Sequence, residues 1–208
     1  VSAIISVSAC GSLKTELKPL DFVVPDQLVD HTYKRETSFF TDGIVVHVAL
    51  AEPFSPEVRK VLVNSVKQLG LTVHDGGTYI NMEGPQFSTK AESNLYRSWG
   101  IDIIGMTNAT EAKLAREAEI SYASLSAVTD YDCWHPDHAS VTVDMILDNL
   151  RKNVDNAKKI LKLAIPHVGK LTKFSAENAL ASSIVTSRDS IPEIKKKELE
   201  VLIGKYVK

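Results

Sequence analysis

The chain has 208 residues, 44% of them hydrophobic, enough to build one globular domain with a sizeable core. Its 24 basic and 26 acidic residues leave a formal charge of −2, spread along the chain, which argues against nucleic acid as the main partner. Two isolated cysteines (Cys10 and Cys133), no apolar run of roughly 18 residues and no signal-peptide pattern predict a soluble, cytoplasmic protein without a disulfide framework.

Val1 to Ala9 is a β-branched apolar run that reads as a strand buried on both faces. It has no polar lead-in, so the chain is expected to lack its natural beginning. Asp21 to Asp30 reads as a second strand, with Pro25 marking an edge or a bulge. The polar stretch from His31 to Gly43 is a loop, and Gly43 to Leu50 reads as a third strand carrying His47. Ser55-Pro56-Glu57 opens a helix over Val58 to Leu69, which Gly70 stops. Leu71 to Met82 is a strand broken at Gly76-Gly77, followed by a helix over Ala91 to Trp99 with Ser88 or Thr89 as its cap. A strand over Asp102 to Met106 leads to a helix over Ala112 to Ala118 opened by Thr110, and Tyr122 to Val128 is a further strand.

Apolar residues recur at threes and fours from Ser140 to about Leu163, predicting a long amphipathic helix that Pro166 ends. Ser175 to Ile184 and Pro192 to Val207 read as two short terminal helices, with Lys195, Lys196 and Lys197 on a solvated face. Strands alternating with helices predict an α/β fold, a three-layer αβα sandwich around a mixed sheet, forming one domain over residues 1–208.

Three loops at strand ends concentrate the chemistry-bearing residues: Glu83 to Ser93, Ile103 to Glu111 and Ala127 to Asp132. Ligands of open α/β sheets bind at such ends. One aromatic, one thioether, several hydroxyls and two acids suit a small polar ring compound. From residue types alone, Asp130 and Asp132 are either a working acid pair or caps of a turn. Phe87 is either a stacking surface or core, and Met106 either a soft apolar contact or strand-end packing. Ser8 to Ser12 makes a tight polar turn able to cradle an anion. His135 and His138 do not make a metal site, because Pro136 breaks the helical spacing and no third ligand is near.

The motifs S8-A-C-G-S12, A51-E-P-F54, G84-P-Q-F-S88, K90-A-E-S93, G105-M-T107 and T129-D-Y-D-C-W134 resemble the trimeric purine nucleoside phosphorylase family, and within it the S-methyl-5′-thioadenosine branch. The resemblance covers about residues 1–165, and the tail over 170–208 is expected to be variable and helical. It implies phosphorolysis of 5′-methylthioadenosine to adenine and 5-methylthioribose-1-phosphate, a step of purine and methionine salvage. Inorganic phosphate is then the co-substrate, and no metal or organic cofactor is implied. Asp130 is implied as the acid at purine N7 and Asp132 as acceptor from the 6-amino group. The 6-oxopurine branch carries Asn in place of Asp130 and Glu in place of Ser88, so both positions here point to adenine.

Phe87 and Ser88 are implied against the nucleoside, Met106 under the sugar, and Ser8, Ala9 and Thr107 on phosphate. Val143, Ile146 and Leu147 are expected to line an apolar 5′ pocket completed by His47 of a neighbouring subunit, which implies a homotrimer. The resemblance places the enzyme in the cytoplasm, with the nucleus as a second compartment. Family members also carry an upstream glycine-rich phosphate loop and an Arg-His pair that this chain does not contain. Nucleoside binding is therefore expected to survive better than turnover. A broader purine nucleoside phosphorylase and a non-catalytic purine-nucleoside-binding paralogue are the competing expectations.

Overall fold

The computed structural model describes residues 1–136 and 143–207, with the backbone alone for 143–146. Its centre is a mixed seven-stranded sheet in the order β3-β5-β6-β1-β7-β2-β4. The strands are β1 (Ala3–Ser12), β2 (Phe22–Val24), β3 (Gln27–His31), β4 (Val73–Asp75), β5 (Thr78–Met82), β6 (Ile103–Gly105) and β7 (Ser121–Asp130). β1 and β7 run parallel over nine registered pairs and form the spine.

Two predicted strands each divide. Only Pro25 and Asp26 separate β2 from β3, and only Gly76 and Gly77 separate β4 from β5, yet the two halves stand at opposite ends of the sheet order. Five strand spacings in a flat sheet would be about 24 Å. Three Cα steps reach at most ~11 Å. The sheet must therefore curl until its ends approach. Gly76 and Gly77 make the corner with φ of +101° and +113°, a conformation that favours glycine. Val23, Tyr79, Ile103, Cys10 and Val128, from five strands, pack inside the curl.

Alternation along β7 assigns its two faces. Ala123, Leu125 and Ala127 face helices α1 (Pro56–Gln68) and α4 (Val143–Val168) in the largest core cluster, while Tyr122 faces helix α3 (Asn108–Glu117) with Ala112, Ala115 and Phe54. Helices thus cover both faces of the sheet, as the α/β reading expects. α1 starts as predicted, with the Ser55 hydroxyl accepting from the Val58 N–H and Pro56 in the first turn. Helix α2 (Lys90–Ser98) is capped by Thr89 rather than Ser88, with Glu92 completing a capping box.

Other boundaries move for identifiable reasons. α3 begins at Asn108, ahead of the predicted Thr110, because the buried Asn108 amide bonds Ser124 across to the sheet instead of capping. Pro166 lies inside the last turn of α4, where it forfeits one backbone bond, and the helix stops two residues later. Ser175 to Ile184 forms successive turns, not a helix, with Asn178 at φ +64°. Short helices α5 (Glu193–Glu198) and α6 (Glu200–Ile203) follow. Lys195 and Lys196 pair there with Glu198 and Glu193, in keeping with a solvated face.

Gly43 to Leu50 adds no strand to the sheet. It is an extended segment joined by a single bridge, Val46 to Ile184, to the C-terminal tail.

Candidate active site

The middle of β1, the carboxyl end of β7 and the carboxyl ends of the oppositely running β5 and β6 surround a cavity of about 470 Å³. Ser8, Ala9 and Gly11 come from β1, Gly105, Met106 and Thr107 from the β6–α3 junction, Phe87 from the loop after β5, and Asp130 and Asp132 from the end of β7. The structure therefore gathers the three predicted loops around one cavity, together with Ser8 to Gly11, which are strand with a register shift at Cys10/Gly11 and not the expected turn. Ser88 stands beside it, its carbonyl accepting from the Cys133 thiol at 3.3 Å.

Asp130 is the most constrained group. Its Oδ2 accepts from the Thr129 hydroxyl at 2.6 Å and its Oδ1 from the Asp132 N–H at 2.8 Å. Burial raises its pKa above the ordinary carboxylate range, partly offset by those two donors. Burial likewise raises Asp132, to which the neighbouring Asp130 charge adds. A carboxyl pushed up in this way gives up its proton less readily than a free one, which is what a proton donor to a ligand requires. Close packing fixes its place: a Cβ on Gly11 would stand 3.1 Å from Asp130 Oδ1.

The same cavity is also lined by hydroxyls. The Ser8 hydroxyl is buried without a hydrogen-bond partner among the described residues, the mark of a donor waiting for a ligand. Thr107 occupies the N-cap position of α3 but makes no cap bond, and its side chain meets the Tyr79 hydroxyl beside the helix N-terminus. Burial pushes the Tyr79 hydroxyl beneath them up to about 12, so it stays neutral. Met106 lies against Gly84, whose φ is +71° and where a Cβ would come within 2.7 Å of the Met106 sulfur.

Phe87 is 66% exposed at the rim. Leu147 is 41% exposed and outside the cavity wall of this chain, while the side chains of Val143 and Ile146, and His138, lie outside the described residues. His47 is exposed and likewise off the wall. Among the described residues no group of three or more His, Cys, Asp or Glu could hold a metal ion.

Two supports were not foreseen. Asn149 and Asn153 of α4 donate to the Thr129 and Val128 carbonyls at 2.8 and 2.9 Å, clamping the strand end that presents Asp130. Helical periodicity assigns asparagines to neither face, so no pattern marked them. Arg35, in the loop after β3, donates to the Glu83 carbonyl at 2.6 Å, the Glu83 carboxylate at 3.1 Å and the Met106 carbonyl at 3.1 Å. It ties two site loops that are distant in sequence. Arg35→Ala is expected to weaken nucleoside binding about tenfold through loosened loops. Calorimetric titration would check this, and unchanged affinity would relegate the fork to stability alone.

A buried acid pair, hydroxyls and a helix N-terminus around a cavity of this size are what a small-molecule α/β enzyme presents. Residues 1–166 match the family model of the phosphorylase superfamily, and the chain belongs to that family.

The relatives narrow the likeness. The S-methyl-5′-thioadenosine phosphorylase of Koribacter versatilis is 53% identical over 206 residues, covering 99% of this chain and 70% of the relative. That of Thermosynechococcus vestitus is 52% identical over 211 residues, covering 100% of this chain and 73% of the relative. A solved methylthioadenosine phosphorylase from an antarctic soil metagenomic library superposes with a TM-score of 0.92 at 47% identity, over 97% of this chain and 72% of that one. The Schistosoma mansoni enzyme in complex with adenine gives 0.84 at 34% identity, over 88% and 73%.

Proposed function

We propose that this protein is a pentosyltransferase that cleaves 5′-methylthioadenosine with phosphate, yielding adenine and 5-methylthioribose-1-phosphate. The observation that carries the reading is one cavity whose wall holds both the buried Asp130 and the buried Ser8 hydroxyl. A phosphate oxygen attacks the anomeric carbon as the bond to purine N9 breaks. The bonding pair passes into the ring, and the Asp130 carboxyl gives its proton to N7. Asp132 accepts from the 6-amino group, Phe87 and Ser88 bound the nucleoside, and Met106 lies under the sugar. Ser8, the Ala9 N–H and Thr107 donate to phosphate, helped by the N-terminus of α3.

The same reading assembles a homotrimer in which His47 enters a neighbour's 5′ pocket with Val143, Ile146 and Leu147. It needs phosphate and no other cofactor, and it serves salvage in the cytoplasm, with the nucleus as a second compartment.

The test is adenine release from methylthioadenosine with and without phosphate. Phosphate-dependent release supports the reading. Equal turnover of inosine would replace it with a broader phosphorylase, and saturable binding without release would replace it with a nucleoside-binding paralogue. Ser8→Ala is expected to weaken phosphate about tenfold while slightly raising the melting temperature, since it removes a buried hydroxyl that has no partner. Phosphate titration beside thermal unfolding separates the two effects, and an unchanged phosphate affinity would remove Ser8 from the anion site.

A further inference from the structure

We propose that the C-terminal tail, from Ala176 to Val207, is the scaffold that holds His47 outward for a second copy of this chain. The inference rests on the phosphorylase reading, which gives His47 to a neighbour's nucleoside pocket. Phe40 and Ile44 are buried with Leu180, Ile191 and Ile203 in a small core of their own, separate from those of the sheet. The segment bearing His47 therefore belongs to the tail's core.

Backbone bonds fix the register. The Val45 N–H donates to the Thr186 hydroxyl at 2.8 Å, the Val185 N–H to the Val45 carbonyl at 2.9 Å, and the His47 N–H to the Ser183 carbonyl at 2.8 Å. Burial alternates along the segment: Ile44, Val46 and Val48 turn in toward the tail while Val45, His47 and Ala49 stand open. In extended chain a slip of one residue exchanges the two sets, so the bonds to the tail decide which way His47 points.

Both parts hang from the end of α3. Glu117 accepts from the Ser38 hydroxyl and the Phe39 N–H, each at 2.7 Å. Glu119 accepts from the Leu180 N–H at 2.9 Å and the Tyr206 hydroxyl at 2.5 Å, and pairs with Lys205. The helix that opens beside the cavity at Thr107 thus closes on the module that displays His47.

The test uses Val185→Pro with Thr186→Val, which removes one donor and one acceptor at positions outside the tail's core. Hydrogen exchange at the His47 amide is expected to accelerate in the pair, and the affinity for methylthioadenosine to fall about tenfold. His47→Ala should weaken binding by a similar factor, and the triple variant should be no worse than His47→Ala, because the lesions act through one residue. Thr186→Ser, which keeps the hydroxyl, should bind as the parent does. Unchanged exchange at His47 would overturn the scaffold whatever its function, as would losses that multiply in the triple variant. A normal affinity in His47→Ala would instead sink the assignment of His47 to the pocket, and this inference with it.

Discussion

Asp130→Asn is expected to lower kcat/KM for methylthioadenosine by about 10²–10⁴-fold, the usual contribution of a positioned acid, while making the protein more stable at neutral pH. The two effects share one cause. Burial raises the Asp130 pKa in the folded protein above its unfolded value, so the native state holds a proton that the unfolded state releases. Stability from this group is complete below the unfolded value of about 3.9. It is then lost as pH rises toward the raised folded value, leaving a cost at neutrality. Asparagine keeps the size and an oxygen to accept the Asp132 N–H, and never ionises. A gain of about 1 kcal/mol, or 2–4 °C in Tm, is the expected scale for relieving a functional site in this way.

Activity follows the same sign. The protonated carboxyl is the working form, so turnover falls as pH rises through the Asp130 pKa, and that limb disappears in Asp130→Asn. Calorimetric melting and a pH–rate profile check the pair. A variant that loses activity without gaining stability would mean that Asp130 is held ionised, and not as the acid.

Gly105→Ala is expected to destabilise the fold by about 3 kcal/mol, the upper end for forced overpacking, and to lower Tm by about 6–12 °C. Gly105 ends β6 beneath the cavity, and a Cβ there would stand 1.8 Å from the Tyr79 hydroxyl oxygen and 2.6 Å from its ring carbon. Tyr79 is fully buried inside the curl of the sheet, with no space to retreat. Gly100→Ala is the comparison: its φ of +81° strains any L side chain, but nothing lies within 4 Å of the added carbon. Strain alone costs about 1 kcal/mol. Chemical unfolding of both variants separates the two roles of glycine. Equal losses would show that the Tyr79 ring can move aside.

Much of the site was legible because its parts are local. The G84-P-Q-F-S88, G105-M-T107 and T129-D-Y-D132 loops each follow an apolar run and were legible as strand ends; that Met106, Thr107, Asp130 and Phe87 share a cavity follows from the short β5 and β6 running antiparallel to β7 and ending at the middle of β1. The cap at Ser55 was likewise legible, since capping leaves its mark within a few residues, whereas the two-sided burial expected of Val1 to Ala9 belongs to β7 instead, Ile4 and Val7 being exposed. What the tertiary structure alone decided depends on partners distant in sequence. Gly43 to Leu50 reads as a third strand, yet it meets only Ile184 by a single bridge, and nothing within the segment says that it stays off the sheet. The Gly76-Gly77 pair announced a break and Pro25 only an edge or a bulge, and the curl follows from where each half finds its neighbour. Arg35, Asn149 and Asn153 act by bonding carbonyls of other loops, and a carbonyl carries no sequence signature. Periodicity and capping are properties of neighbouring residues. Register, closure and the raised proton affinity of Asp130 are properties of what surrounds them, and exist only once the chain has folded.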